Sequence, residues 1–316
     1  MTKALVTGGA GFIGSHLVDR LITNHEIIVL DNLSTGVKDN IAAHAEAPNF
    51  QFLKGSITSG ADIKRAMEDV DIIYHFAAQP DVRVSTDRPL WDFDINVRGS
   101  LKILECARKR NVSKIVFASS GGTVYGTPEV LPTPESQPLR PISNYAAAKS
   151  AVEMYLSSYA ELYGIDSVSL RLANIFGPRL THGVIFDFYS KLKKNPTRLE
   201  VLGDGKQEKS YMYVSDAVEA TLILARNITP GHTPVNIGSG ERLRVSRIAE
   251  LVIEGLQAYN AEIHYSGSER GWEGDVTITD LDFKLLKELG WKLKVPLERG
   301  VKLYIQWLID RFGSLS

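Results

Sequence analysis

An apolar run of β-type residues, Ala4-Leu5-Val6-Thr7, breaks into Gly8-Gly9-Ala10-Gly11-Phe12-Ile13-Gly14 and continues with helical periodicity to Thr23. No other feature of the chain narrows its fold as much. Glycines at 8, 11 and 14 let the backbone turn tightly, approach a ligand, and bring the next helix close to the strand. The first turn of that helix, with Phe12, Ile13 and Gly14, offers unpaired N–H groups and positive dipole, a setting suited to a pyrophosphate. A glycine-rich turn can also bind nothing, but the strand–turn–helix placement that the motif requires is met here.

The same rhythm recurs through the first half. Strand-like runs stand at Ala4–Thr7, Glu26–Asp31, Phe50–Lys54, Asp71–Phe76, Ile115–Ser119 and Ser167–Leu172, with helical patterns at Phe12–Thr23, Ala61–Glu68, Leu90–Arg110 and Tyr145–Tyr163. Alternating strands and helices, with strands rich in Ile, Val and Phe, predict an α/β fold: a Rossmann-like, doubly wound parallel sheet buried on both faces. The rhythm is lost after Phe176-Gly177-Pro178, which predicts a smaller α/β substrate-binding domain. The expected division is 1–178 plus about 211–238 for the dinucleotide-binding domain, and 179–210 with 239–316 for the smaller one. Five prolines between Thr127 and Pro141 forbid regular structure there, and so long a loop is expected to line a site.

Composition excludes other classes. With 316 residues, 36 Lys+Arg against 37 Asp+Glu and a formal charge of −1, the chain has no basic field for nucleic acid. No apolar run approaches the ~20 residues needed to cross a membrane, and no basic segment followed by an apolar one opens the chain. Cys106 is the one cysteine, so no internal disulfide can form. A cytoplasmic protein is expected. The seven histidines show no metal-ligand spacing, and no metal is expected. Arg108-Lys109-Arg110 suits a helix C-terminus rather than a nucleic-acid patch.

Asp31 ends the second strand, where a carboxylate can accept from the adenosine ribose hydroxyls and repel a 2′-phosphate. Asn32-Leu33-Ser34-Thr35-Gly36 follows without an arginine, so NAD is favoured over NADP. Tyr145 and Lys149 stand four apart on one helix face. Such a pair is ordinarily a packed ring and a solvated charge. After a nucleotide-binding half and the strand end Ser119-Ser120-Gly121-Gly122, it reads as a phenol whose proton loss is favoured by an adjacent cation and an oxidised nicotinamide, able to act as a base near neutrality.

These residues resemble the extended short-chain dehydrogenase/reductase superfamily over essentially the whole chain, and within it most closely the UDP-glucose 4-epimerases. The resemblance is carried by the Gly8/Gly11/Gly14 turn, Asp31-Asn32-Leu33-Ser34, Phe76-Ala77-Ala78, Ser119 to Gly126, Tyr145 with Lys149, Arg171 to Pro178, Leu202-Gly203-Asp204-Gly205, Tyr211 to Asp216 and Gly274-Asp275-Val276. It implies NAD held by the glycine turn, Asp31, Asn32, Ser34, Thr35, Gly36, Ser56, Ile57, Phe76, Ala77, Ala78, Gln79, Asn96, Ser119, Tyr145 and Lys149. It implies a UDP-sugar bound by Ser120, Gly121, Gly122, Tyr145, Asn174, Val184, Glu200, Val201, Leu202, Lys209, Arg270 and Asp275, with the backbone around Glu200–Leu202 pairing with uracil. The implied reaction is a redox-neutral 4-epimerisation through a 4-keto sugar, Tyr145 moving the proton. A homodimer through a four-helix bundle is implied as well.

Several positions depart from the pattern. The hydroxyl residue usual four before the Tyr of Val124-Tyr125-Gly126 is Gly121, which leaves Ser120, Thr123 or water to share a proton with Tyr145; Ser120 or water is the expectation. The adjacent carboxylates of 4,6-dehydratases are absent at Gly122 and Thr123. The usual Arg-Asp is Lys209-Ser210, the usual Arg is Trp272 with Arg270 nearby, and an Asp near adenine is Ser56. Competing readings are a 4-epimerase of UDP-glucuronate or UDP-N-acetylhexosamine, a net oxidoreductase, and a non-catalytic NAD-binding sensor.

Overall fold

The computed structural model describes residues 1–267, 276 and 278–315. Its large sheet holds seven strands: β1 (Thr2–Thr7), β2 (His25–Asp31), β3 (Phe50–Lys54), β4 (Ile72–His75), β5 (Lys114–Ser120), β6 (Asp166–Leu172) and, after three short strands outside this sheet, β10 (His232–Ile237). All pair in parallel, in the order β10-β6-β5-β4-β1-β2-β3. Six of the seven coincide with the runs expected from the sequence, and the seventh lies in the stretch expected to return. Ala4 and Val6 enter the core on one face while Leu5 enters the core on the other, the period of two that buries a parallel strand on both sides.

Helices cover both faces. α1 (Phe12–Leu21) and α8 (Val214–Arg226) pack on one; α2 (Gly60–Ala66), α5 (Ser100–Lys109) and α6 (Asn144–Tyr163) pack on the other, with α3 (Val82–Asp87) and α4 (Pro89–Phe93) beside α6. The single helix expected over Leu90–Arg110 is α4 and α5 joined by a wide π turn at Asp94–Gly99. Such insertions recur at functional sites, and this one carries Asn96. Among the described residues no helix is long and apolar enough to cross a membrane.

The second part has its own core, built by α7 (Val184–Lys194), α9 (Val245–Leu256) and α11 (Leu297–Phe312). Its short strands are β7 (Asn174–Phe176), β8 (Arg198–Val201), β9 (Glu208–Tyr213), β11 (Arg242–Arg244), β12 (Glu262–Tyr265) and β13 (Ile278–Thr279). β9 lies between β11 and β13 and also pairs with β7, while β8 pairs with β12. Leu286, in α10 (Lys284–Glu288), and Trp291 are buried in the core of the large sheet, not the small one. Trp291 Nε1 donates to the Asp216 carbonyl at 3.1 Å, a bond that ties this late segment to α8. The proline-rich loop is also tied at its middle, through Thr133 to Asp280 and Asp282 and through Asn236 to the Thr133 carbonyl.

Candidate active site

Strand order reverses between β1 and β4, and the crevice at their C-terminal ends is where open α/β sheets bind ligands. There Gly8 has φ +71°, and a Cβ on it would lie 2.6 Å from Ala77 N. A Cβ on Gly14 would lie 2.3 Å from the Gly8 carbonyl oxygen. The two bare positions let the turn close against β4 and against α1. Gly11 caps α1 with no side-chain hydrogen bond, so the N–H groups at Phe12, Ile13 and Gly14 remain at the helix mouth. Asp31 is buried, and its oxygens accept from Ala10 N at 3.0 Å and Leu33 N at 2.8 Å. Burial pushes its carboxyl up, against those two bonds. Gly36 lies close against the carboxylate: a Cβ there would lie 3.0 Å from Asp31 Oδ2.

Asn32, Ser34 and Thr35 are exposed beside it, with Asn32 Oδ1 accepting from Ser34 N at 3.0 Å. Ser56 N donates to Asp62 Oδ2 at 3.1 Å, and the Ser56 and Thr58 hydroxyls are 2.8 Å apart; Ile57 is buried against Gly99. Phe76, Ala77 and Ala78 leave β4 half-buried. Ala77 N donates to Thr7 Oγ1, which also bonds His75 Nδ1 at 2.7 Å. Burial and the Lys149 charge hold His75 down at about 3, so it is a neutral link between Thr7 and Ser100 rather than an acid or a ligand. Gln79 and Asn96 exchange hydrogen bonds, Gln79 N to Asn96 Oδ1 at 2.9 Å and Asn96 Nδ2 to the Gln79 carbonyl at 3.0 Å. The bare helix mouth, the strand-end carboxylate and the close-fitting glycines fit a dinucleotide.

The Tyr145 phenol has the Ser120 side chain as its hydroxyl neighbour, which acts to favour the ionised phenol. Lys149 is buried, its Nζ donating to the Ala118 carbonyl at 2.8 Å and lying 5.7 Å from the centre of the Tyr145 ring. Burial pulls Lys149 down to about 8, with the charges of Asp92 and Glu153 opposing. Burial, and then the Asp92 charge, push the Tyr145 phenol above its ordinary value, with the Ser120 side chain acting against them.

Gly121 has a steric reason. A Cβ there would lie 2.6 Å from Leu281 Cδ1 and 2.7 Å from the Arg171 carbonyl oxygen, so the hydroxyl residue usual in the resembling family has no room. Thr123 Oγ1 turns to the Ser120 carbonyl at 3.5 Å. Gly122 stands open, with no atom within 4 Å of a Cβ. The Ser119 hydroxyl is turned inward to donate to Glu153, so only its backbone is available to a cofactor.

On the far side, Asn174 Nδ2 donates to the Ser210 carbonyl at 3.0 Å. Val184 opens α7 after Gly183 at φ +86°. Glu200 and Leu202 are exposed and Val201 is buried, with β12 pairing along β8. Pairing does not leave all of that backbone available: the Glu200 carbonyl accepts from Lys191 Nζ at 2.9 Å and the Val201 carbonyl from Ser266 N at 3.0 Å. Lys209 lies in β9, opposite Leu243 and Thr279. Arg270 and Asp275 lie outside the described residues.

Three residues here escaped sequence reasoning. Ser85 is fully buried; its Oγ accepts from Tyr145 N at 3.0 Å and its carbonyl from Asn144 Nδ2 at 3.0 Å, anchoring the start of α6. Glu153 continues the Tyr145–Lys149 face by one more turn. Asp92 stands four before Asn96, and that spacing was its only signal.

Geometry of this kind defines a pyridine-nucleotide site of the short-chain dehydrogenase/reductase type. The family model described as NAD dependent epimerase/dehydratase matches residues 4–238, and the chain belongs to that family. It is 36% identical to the UDP-glucose 4-epimerase of Mycolicibacterium smegmatis, over 98% of this chain and 99% of that one. It is similar to the crystal structure of a Thermotoga maritima UDP-glucose 4-epimerase with UDP-glucose, with a TM-score of 0.89 and 37% identity over 98% of this chain and 99% of that one. A Thermus thermophilus UDP-glucose 4-epimerase in complex with NAD gives a TM-score of 0.87 and 35% identity, covering 98% and 100%.

Proposed function

We propose that the chain is an NAD-dependent 4-epimerase of a UDP-hexose, interconverting UDP-galactose and UDP-glucose. The observation that carries this reading is the Ser120–Tyr145–Lys149 arrangement, with Gly122 and Thr123 in place of carboxylates. One phenol can take a proton from the 4-hydroxyl and give it back, while elimination of water would need a second acid/base group. When bound, NAD supplies the hydride acceptor at C4 and, in its oxidised form, a positive charge beside the phenol. Lys149 adds its own positive charge. Ser120, the hydroxyl beside Tyr145, would pass the proton between the phenol and the sugar oxygen. Gly8, Gly11, Gly14 and Asp31 hold the cofactor, with Asn32 to Gly36, Ser56, Ile57, Phe76 to Gln79 and Asn96 along its length.

Asn174, Val184, the edge from Glu200 to Leu202, Lys209, Arg270 and Asp275 hold the UDP end. In this reading 1–178 with about 211–238 forms the cofactor side and 179–210 with 239–316 the substrate side, Leu286 and Trp291 of the latter packing in the core of the large sheet. A cytoplasmic location agrees with the lone Cys106.

The test is proton NMR of UDP-galactose with the purified protein and NAD. Conversion to UDP-glucose without accumulating NADH is expected; accumulation of NADH, or no conversion of any UDP-hexose offered, overturns the reading. UDP-glucuronate and UDP-N-acetylglucosamine belong in the same assay. Ser120→Ala is expected to lower kcat about 10- to 100-fold with little change in KM, and Thr123→Ala to leave it within twofold. Full turnover in Ser120→Ala would assign the proton relay to water.

A homodimer through α4, α5 and α6 completes the proposal. Leu90, Trp91 and Phe93 on α4 and Met154, Tyr155, Leu162 and Tyr163 on α6 are exposed, Leu90 to 80%, an apolar surface that a monomer would leave in water. Light scattering is expected to return twice the chain mass; a single-chain mass at working concentration excludes the dimer.

A further inference from the structure

Asp92 is 1% exposed. Its Oδ1 accepts from Gln79 Nε2 and from Asn96 Nδ2, both at 2.9 Å, and neither donor is charged. The other buried carboxylate of this region, Glu153, is gripped by the Arg171 guanidinium. Among the described residues no cation forms an ion pair with Asp92, while α4 packs directly on α6. A buried carboxylate held by amides alone is unfavourable unless its charge does something for its surroundings. Asp92 is the buried residue of α4, the side chain that this helix turns inward where it packs on α6, and its charge acts on the Lys149 ammonium and the Tyr145 phenol of that helix.

We propose that Asp92 is a positioning residue for the catalytic pair: its carboxylate is the counter-charge that keeps Lys149 an ammonium inside the protein, and its amide donors tie that charge to the Gln79 edge of the cofactor site. The inference rests on the acid/base reading of Tyr145 and Lys149. Lys149 is faced by Asp92 from α4, by Glu153 and Tyr145 from its own helix, by the Ala118 carbonyl and the Phe117 ring from β5, and by the neutral His75 from β4. Glu153 already answers Arg171, so Asp92 is the unshared negative charge. Removing it leaves burial to act on the ammonium with less opposition, and it relieves the phenol of a repulsion. Both ionisations then move in the same direction, toward lower pH.

Asp92→Asn keeps Oδ1 as an acceptor for both amides, removes the charge and puts an amide nitrogen in place of Oδ2. In the purified protein as isolated, Lys149 can be followed by NMR of carbon-13-labelled lysine and assigned by its loss in Lys149→Met. Its titration is expected about one pH unit lower in Asp92→Asn than in wild type, and the pH profile of turnover is expected to move acid-ward with it. Asp92→Ser carries the same expectation should the asparagine variant not fold. Gln79→Met removes an amide but leaves the charge; it is expected to weaken cofactor retention and leave the Lys149 midpoint in place, whereas a merely structural role for Asp92 predicts the opposite pattern. An unmoved Lys149 midpoint in folded Asp92→Asn overturns the proposal. The titration needs no turnover, so a chain that shifts Lys149 but epimerises nothing would sink the proposed reaction and leave the electrostatic role standing.

Discussion

Tyr145→Phe is expected to lower epimerisation by roughly a thousandfold, about 4 kcal/mol of barrier, while the protein stays folded and binds NAD. Among the described residues the phenol oxygen is the group placed to hold and return the proton of a sugar 4-hydroxyl. Its partners explain why a neighbour cannot substitute. Ser120 is a hydroxyl with no base of its own beyond Tyr145. Lys149 is a cation, committed to the Ala118 carbonyl. The phenylalanine ring preserves the packing against α4 and β5, and the glycine turn and Asp31 lie on other elements, so cofactor binding should survive. The measurement is turnover of UDP-galactose by NMR alongside the amount of NAD released when the purified variant is denatured. Turnover within tenfold of wild type would remove Tyr145 from the proton path and favour a direct role for water. Loss of NAD together with activity would instead make the phenol part of the cofactor site.

The large sheet was legible because its strands are buried on both faces and so read as unbroken apolar runs, such as Ile27 to Leu30 and Ile115 to Ala118. The glycine turn was legible because its spacing is set by backbone geometry alone. The Tyr145–Lys149 pair needed only helical periodicity. What could not be read depends on neighbours far along the chain. Gly121 is glycine because Leu281 and the Arg171 carbonyl fill the space beside it, and nothing within ten residues of it says so. Trp291 belongs to the first core through Asp216, although it follows the strands of the second. β13 has two residues, too few for any pattern. Asp92 and Glu153 carry charges that local sequence assigns to solvent; only the packed structure shows them buried, one paired and one not. The wide turn at Asp94–Gly99 kept helical periodicity well enough to read as one helix.

The buried pair beneath the site makes the second large prediction. Arg171 Nη2 donates to Glu153 Oε2 at 2.7 Å and Nε to the same oxygen at 3.1 Å, with the side chains 5% and 1% exposed. The remaining guanidinium nitrogen donates to Tyr125 Oη at 2.8 Å and to the Glu135 carbonyl at 3.0 Å. Tyr125 Oη in turn donates to Asn236 Oδ1 at 2.7 Å. One arginine thus joins β6 to the catalytic helix, to the proline-rich loop and to β10. Arg171→Met is expected to destabilise the fold by about 3–5 kcal/mol, because it strands Glu153 as a buried carboxylate with only the Ser119 hydroxyl left as donor. The melting temperature should fall by on the order of 10 °C. Adding Glu153→Gln to Arg171→Met separates this cause from lost packing: it should recover part of the loss at pH 7, since the stranded charge is gone. A double variant no more stable than the single one would mean that the arginine acts through Tyr125 and the loop rather than through its carboxylate.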